Sequence, residues 1–154
     1  FSLMAAGGRT VRDTDFDGRY RIVFFGYRAD PGLTAAGLQL IADALERAGP
    51  KAAEITPIFI TVDGAADPPE ELQAYAARFH PAIVALGGNS EDLARVAKLY
   101  LVHVARSPSG GAGGGSVVDV VSPIYLLDKK GEYVSHVSPA TPSAQLAAAL
   151  AALP

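Results

Sequence analysis

Two short runs constrain this chain more than anything else in it: Ile22-Val23-Phe24-Phe25 and Ile58-Phe59-Ile60-Thr61-Val62. Side chains alternate between the two faces of a strand, so a run that is apolar on both faces must be covered from both sides. The segments between such runs supply the cover. Leu38, Ile41, Ala42 and Leu45 fall on one helical stripe that ends before Gly49-Pro50, and Leu72, Tyr75, Ala76 and Phe79 repeat the spacing, as do Leu93, Val96, Ala97 and Tyr100. This alternation predicts an α/β domain. Strands are expected over 20–27, 55–62, 83–86, 117–121, 124–127 and 133–137, with a last helix over 143–153. Lys129-Lys130-Gly131-Glu132 reads as a turn that makes the last two strands antiparallel neighbours, and the first residues read as a small hairpin.

Local signals also propose helix starts. Asp67-Pro68-Pro69-Glu70 reads as an N-cap followed by proline and an acid, and Ser90 as the cap of the next helix. A chain of 154 residues with this pattern is expected to be a single domain over 1–154. Ser107 to Ser116 holds five of the sixteen glycines and is expected to be a flexible loop.

Composition then narrows the chemistry. There is no cysteine, which excludes disulfides, thiolate nucleophiles, thiol redox cycling and cysteine-based metal sites. Thirteen basic against sixteen acidic residues give a formal charge of −3, and no run of Lys or Arg forms a stripe for phosphates, so nucleic acid is not an expected partner. No apolar run approaches the length of a membrane span. The chain opens at Phe1 without an initiator Met, so any leader or anchor is expected to have been removed, and contact with a membrane to run only through such an anchor. No GxSxG, Walker loop or HExxH motif is present.

The run FFGYRADPGLTAAGL resembles the Sco/SenC family, thioredoxin-like copper proteins of cytochrome c oxidase assembly, whose pattern at this place is FGYT, Cys-Pro, two variable residues and Cys-Pro. Phe25, Gly26, Tyr27, Pro31 and Leu38 stand where the family has them. Downstream, ITVDGAADPPEELQAYAARF is similar to the family's strand-to-helix segment through Thr61, Val62, Asp63, Asp67, Pro69, Glu70, Leu72, Tyr75 and Phe79. The segment SVVDVVSPIYLLDKKGEY matches through Val118, Asp119, Ile124, Tyr125, Leu126, Asp128 and Gly131. The resemblance implies a thioredoxin-like fold, with a central mixed β-sheet flanked by helices and an N-terminal β-hairpin. It also implies a location on the periplasmic or extracytoplasmic side of a membrane, with a respiratory-oxidase subunit or a copper-carrier protein as partner.

The family's copper ligands are the two cysteines of its CxxxC motif and a distant histidine, and at the matching positions this chain has Asp30, Thr34 and Val120. A carboxylate is a hard donor, a neutral hydroxyl a poor one and valine none, so copper is not expected at the inherited site and no enzymatic thiol activity is expected either. Because the neighbouring Arg28, Ala35 and Val121 also depart from the family pattern, the whole segment reads as naturally diverged. Asp30 and Thr34, just ahead of a helix, can accept hydrogen bonds from its unpaired N–H groups. A sharper reading makes Arg28, Asp30, Thr34 and Asp119 a partner-binding patch, with Val120 and Val121 as an apolar opposite wall.

The expected function is therefore a binding or scaffolding role in oxidase or copper-protein assembly. The alternative is a metallochaperone that holds copper through other ligands, such as Asp30, Asp119 and one histidine. Asp63 and Asp67 form a carboxylate pair for which a structural role is expected. His80, His103 and His136 show no mutual helical spacing and are expected respectively at a helix C-terminus, in a strand and on a strand surface.

Overall fold

The two apolar runs become the centre of a five-stranded mixed sheet. The computed structural model describes residues 1–107 and 116–154. Within them β1 (Ser2–Ala5) and β2 (Arg9–Arg12) form the N-terminal hairpin, followed by β3 (Tyr20–Gly26), α1 (Leu33–Arg47), β4 (Ile55–Thr61), α2 (Pro69–Ala77), β5 (Val84–Leu86) and α3 (Ser90–Leu99). Then come β6 (His103–Ser107), β7 (Ser116–Val121), β8 (Ile124–Leu127), β9 (Tyr133–Val137) and α4 (Ser143–Ala151). The sheet order is β5-β4-β3-β8-β9, with β3, β4 and β5 parallel and β8 and β9 antiparallel to their neighbours. This is the thioredoxin-like arrangement expected.

Covering from both sides follows from the pleat. Ile22 and Phe24 of β3 and Phe59 of β4 face one core with Leu38 and Ile41 of α1, Leu72 of α2 and Leu146 and Leu150 of α4. Val23, Phe25, Ile58 and Ile60 face the other, with Leu3 and Val11 of the hairpin, Leu93 and Val96 of α3 and Val120 of β7. Each such side chain stabilises the fold by about 1.5–3 kcal/mol relative to exposure, so the strand alternation is strongly enforced. Gly37 allows α1 to lie directly on the sheet, because a Cβ there would stand 2.3 Å from the ring of Phe24.

Four local expectations are corrected. Asp67 does not cap α2, whose N-cap is Pro68, and its carboxylate turns inward instead. The cap of α3 is Asn89 rather than Ser90: its side chain accepts from the Asp92 backbone N–H at 2.8 Å. The expected strand set omits β6, although a strand is expected at His103; β6 pairs with the strand over 117–121 in a separate antiparallel sheet. Ser107 and Ser116, expected in the glycine-rich loop, pair with each other as the ends of these strands, and the rest of that loop lies outside the described residues. Beyond that, strand and helix ends differ from expectation by one or two residues.

Candidate functional site

Parallel strands β3 and β4 end side by side, with Gly26 opposite Thr61, so the loops that follow them share one edge of the sheet. The loop after β3 carries Arg28 and Asp30, and Thr34, expected ahead of the helix, is the second residue of α1. Asp30 reaches forward over the start of α1: Oδ1 accepts from the backbone N–H of Gly32 and Leu33 at 3.0 and 3.2 Å. Oδ2 accepts from the N–H and the hydroxyl of Thr34 at 3.1 and 2.8 Å. One carboxylate thus serves three helical N–H groups that have no partner within the helix, and its charge suits the positive end of the helix dipole. Thr34 is buried, and its Oγ1 also accepts from the Tyr27 backbone N–H at 3.2 Å. That seat requires Gly26, where a Cβ would stand 2.3 Å from Thr34 Oγ1.

Arg28 goes the other way. Its Nε donates to Oδ1 of the buried Asp67 at 2.8 Å, and its backbone N–H donates to Oδ2 at 3.1 Å. Its Nη2 donates to the Ala66 carbonyl at 2.6 Å and to Glu71 Oε2 at 2.9 Å. Asp67 Oδ2 accepts a further bond, 2.7 Å, from the hydroxyl of Thr61, which is itself fully buried. The hydrogen bond to Asp67 holds the Arg28 guanidinium protonated beyond its ordinary range. Arg28 therefore ties the β3–α1 loop to the β4–α2 loop rather than joining Asp30 and Thr34 in one polar patch.

Strand β7 supplies the facing wall. A cavity of about 180 Å³ opens between the two, lined by Phe24, Phe25, Leu33, Val120 and Val121 together with Asp30, Thr34 and Asp119. Ser122 holds the strand end against β3 by accepting from the Phe25 backbone N–H at 3.2 Å. Ser138, Pro139 and Ala140, from the segment between β9 and α4, close the cavity. No sequence spacing announces that contribution, since it comes from more than a hundred residues beyond Asp30. Four of the singled-out residues besides Thr34, namely Asp30, Asp119, Val120 and Val121, thus share one pocket, and Arg28 does not line it. Tyr27 is buried beside this pocket. Burial raises its hydroxyl pKa, and the charges of Asp30, Asp119 and Asp63 add to the rise.

The donor set at the three family positions does not fit copper. All of Asp30's hydrogen-bonding directions point to α1, the Thr34 hydroxyl is engaged on both sides, and Val120 packs into the core. The other ligand set, Asp30 and Asp119 with a histidine, is not assembled among the described residues, where no histidine lines the cavity. Among the described residues no three His, Asp or Glu side chains stand together as a metal site. His80 accepts from the Ala82 N–H and faces Glu46, His103 sits in β6, and His136 in β9 pairs with the Tyr133 hydroxyl. Asp63 and Asp67 make no acid–base pair, since Asp67 is committed to Arg28 and Thr61.

Comparison with known proteins agrees with this frame. Residues 1–153 match the family described as SCO1/SenC. A SCO2-like protein of Rickettsia prowazekii is 31% identical over 136 residues, covering 88% of this chain and 66% of its own length. The protein sco1 of Schizosaccharomyces pombe is 30% identical over 152 residues, 97% of this chain and 58% of its own. The chain thus spans somewhat under two thirds of these relatives. Among solved structures, Bradyrhizobium japonicum ScoI with copper bound superposes with a TM-score of 0.84 at 30% identity, covering 97% of this chain and 94% of that one. Apo Sco1 from Thermus thermophilus superposes at 0.87 with 29% identity, over 97% and 87%.

Proposed function

The chain belongs to the SCO1/SenC family, and we propose that it serves oxidase or copper-protein assembly as a binding or scaffolding protein, without carrying copper or cycling thiols at the family position. One observation carries this reading: the family frame is present around a site whose three ligand positions hold a fully hydrogen-bonded carboxylate, a buried hydroxyl and a core valine. Soft Cu(I) gains nothing from such donors. Thiol–disulfide exchange needs a thiolate, and the chain has none. The partner-binding surface in this reading is the pocket bounded by Asp30, Thr34, Asp119 and Val120, with Arg28 as its brace. The partner is a respiratory-oxidase subunit or a copper-carrier protein, and the location is extracytoplasmic, as family membership suggests. Among the described residues no helix is long and apolar enough to cross a membrane.

The test is a copper titration of two proteins. The chain itself is expected to show no stoichiometric uptake of Cu(I) or Cu(II) and no change in thermal midpoint. The triple variant Asp30→Cys, Thr34→Cys, Val120→His is expected to gain copper binding, since Asp30 and Thr34 already stand with Oδ2 and Oγ1 at 2.8 Å and Val120 lines the same cavity. Tight stoichiometric copper on the unaltered chain would overturn the proposal.

A further inference from the structure

Building on the reading of this pocket as a copper-free binding site, we infer that it receives one large apolar side chain of a partner protein, from a segment in which basic residues flank that side chain. The cavity of about 180 Å³ is slightly larger than an apolar cavity known to take benzene, of about 150 Å³, so a Phe or Leu side chain suits its volume. Its apolar walls are Phe24, Phe25, Leu33 and Val120 and Val121 of β7. Two of these side chains also reach outward: Leu33 is 58% and Val121 57% exposed, which places apolar surface around the mouth as well as inside it. Apolar residues left in water beside a cavity mark contact surfaces.

Charge selects the flanks. Among the described residues the only ionisable side chains lining the cavity are Asp30 and Asp119, with no Lys, Arg or His. Asp119 is exposed and makes no hydrogen bond or ion pair among the described residues. The cation nearest in sequence, Arg28, is committed to Asp67 and Glu71, so while Asp30 is met by the start of α1, Asp119 keeps a negative charge that no basic side chain among the described residues answers. The upward displacement of the Tyr27 hydroxyl, after burial, has the same carboxylates as its source. An acidic rim around an apolar socket favours a cation-flanked apolar residue and repels an anion-flanked one. A protein segment meets this demand, because the exposed Leu33 and Val121 provide contact area beyond what one buried side chain would use.

The experiment titrates ¹⁵N-labelled protein with three glycine–serine peptides containing Lys-Phe-Lys, Glu-Phe-Glu or Lys-Ala-Lys at the centre. The Lys-Phe-Lys peptide is expected to shift the amides of Leu33, Val120 and Val121, to bind about tenfold more tightly than either other peptide, and to weaken as salt is raised. Asp119→Lys, at an exposed position that leaves the core untouched, is expected to reverse the preference in favour of Glu-Phe-Glu. Absence of shifts at these amides up to millimolar peptide, or an unchanged preference in Asp119→Lys, would overturn the inference. The copper titration of the same sample separates the two levels. Copper uptake by the unaltered chain defeats the parent reading, whereas no copper together with no peptide binding defeats only this one.

Discussion

Asp30 follows β3 and Asp67 follows β4, on two adjacent parallel strands, yet their carboxylates are spent in opposite ways. Asp30 stays half-buried and bonds only to groups within four residues of itself, at the start of its own helix. Asp67 is buried, and although the Thr61 hydroxyl reaches it from six residues away, its charge is met by Arg28, thirty-nine residues away. Both positions lie in stretches that resemble the same family, one where its ligand has been lost and one where its motif is kept. The difference shows how the site edge tolerates the lost ligand. The substituted carboxylate is satisfied locally, while the kept one anchors the arginine that stands where the family has threonine. This loop is held by helix-start bonds on one side and by a cross-loop ion pair on the other.

The comparison breaks most readily at Asp67. Asp67→Ala strands the Arg28 guanidinium and the buried Thr61 hydroxyl, and is expected to lower unfolding free energy by about 3 kcal/mol, read from urea denaturation. A loss no larger than that of the Asp30 variant would erase the distinction drawn between the two aspartates. Arg28→Ala comes next, at about 2 kcal/mol: it leaves Asp67 buried with only Thr61 and a backbone N–H, though the arginine itself is partly exposed. Hydrogen exchange should rise at the amides of both loops in this variant, and a rise confined to the β3–α1 loop would contradict the cross-loop brace. Asp30→Ala removes a helix-start acceptor and should cost about 1 kcal/mol, with exchange rising only at the first turn of α1.

The smallest effect is one of pH. Asp128, in the turn between β8 and β9, is a third aspartate with local partners: its Oδ1 accepts from the Glu132 and Lys130 backbone N–H groups, both at 2.9 Å. The Glu132 bond, then the Lys130 bond and the charges of Lys130 and Arg21, hold its carboxyl below the ordinary value of 3.8. A carboxyl depressed on folding adds stability above the unfolded-state pKa and loses it as pH falls through the folded one. Asp128→Asn is therefore expected to flatten a small part of the decline in stability below about pH 4. An acid-unfolding curve identical to that of the unaltered chain would remove Asp128 from the set.

Legibility followed the same division. The Asp30 cap was readable because acceptor and donors sit within one turn of chain, and the hairpin at Gly131 because a positive φ of 84° there is what glycine supplies. Asp67 misled for the complementary reason: Asp-Pro-Pro-Glu has the local signature of a cap, and nothing nearby signals that an arginine on another loop will take the carboxylate. For β6 a strand is expected only at His103; its extent and its pairing with β7 are tertiary events, and His-Val-Ala-Arg-Ser carries little apolar alternation of its own.

By itself the sequence determined the α/β alternation, the two-sided burial of the central strands, the family frame and the absence of cysteine thiolates, since each depends on residue identity or on spacing along a few turns of chain. Only the tertiary structure decided that Arg28 braces Asp67, that Val120 and Asp119 face Asp30 across a small apolar cavity, and that residues 138–140 close it. Those contacts join segments many tens of residues apart. Their geometry depends on sheet order and strand ends, which no local pattern encodes.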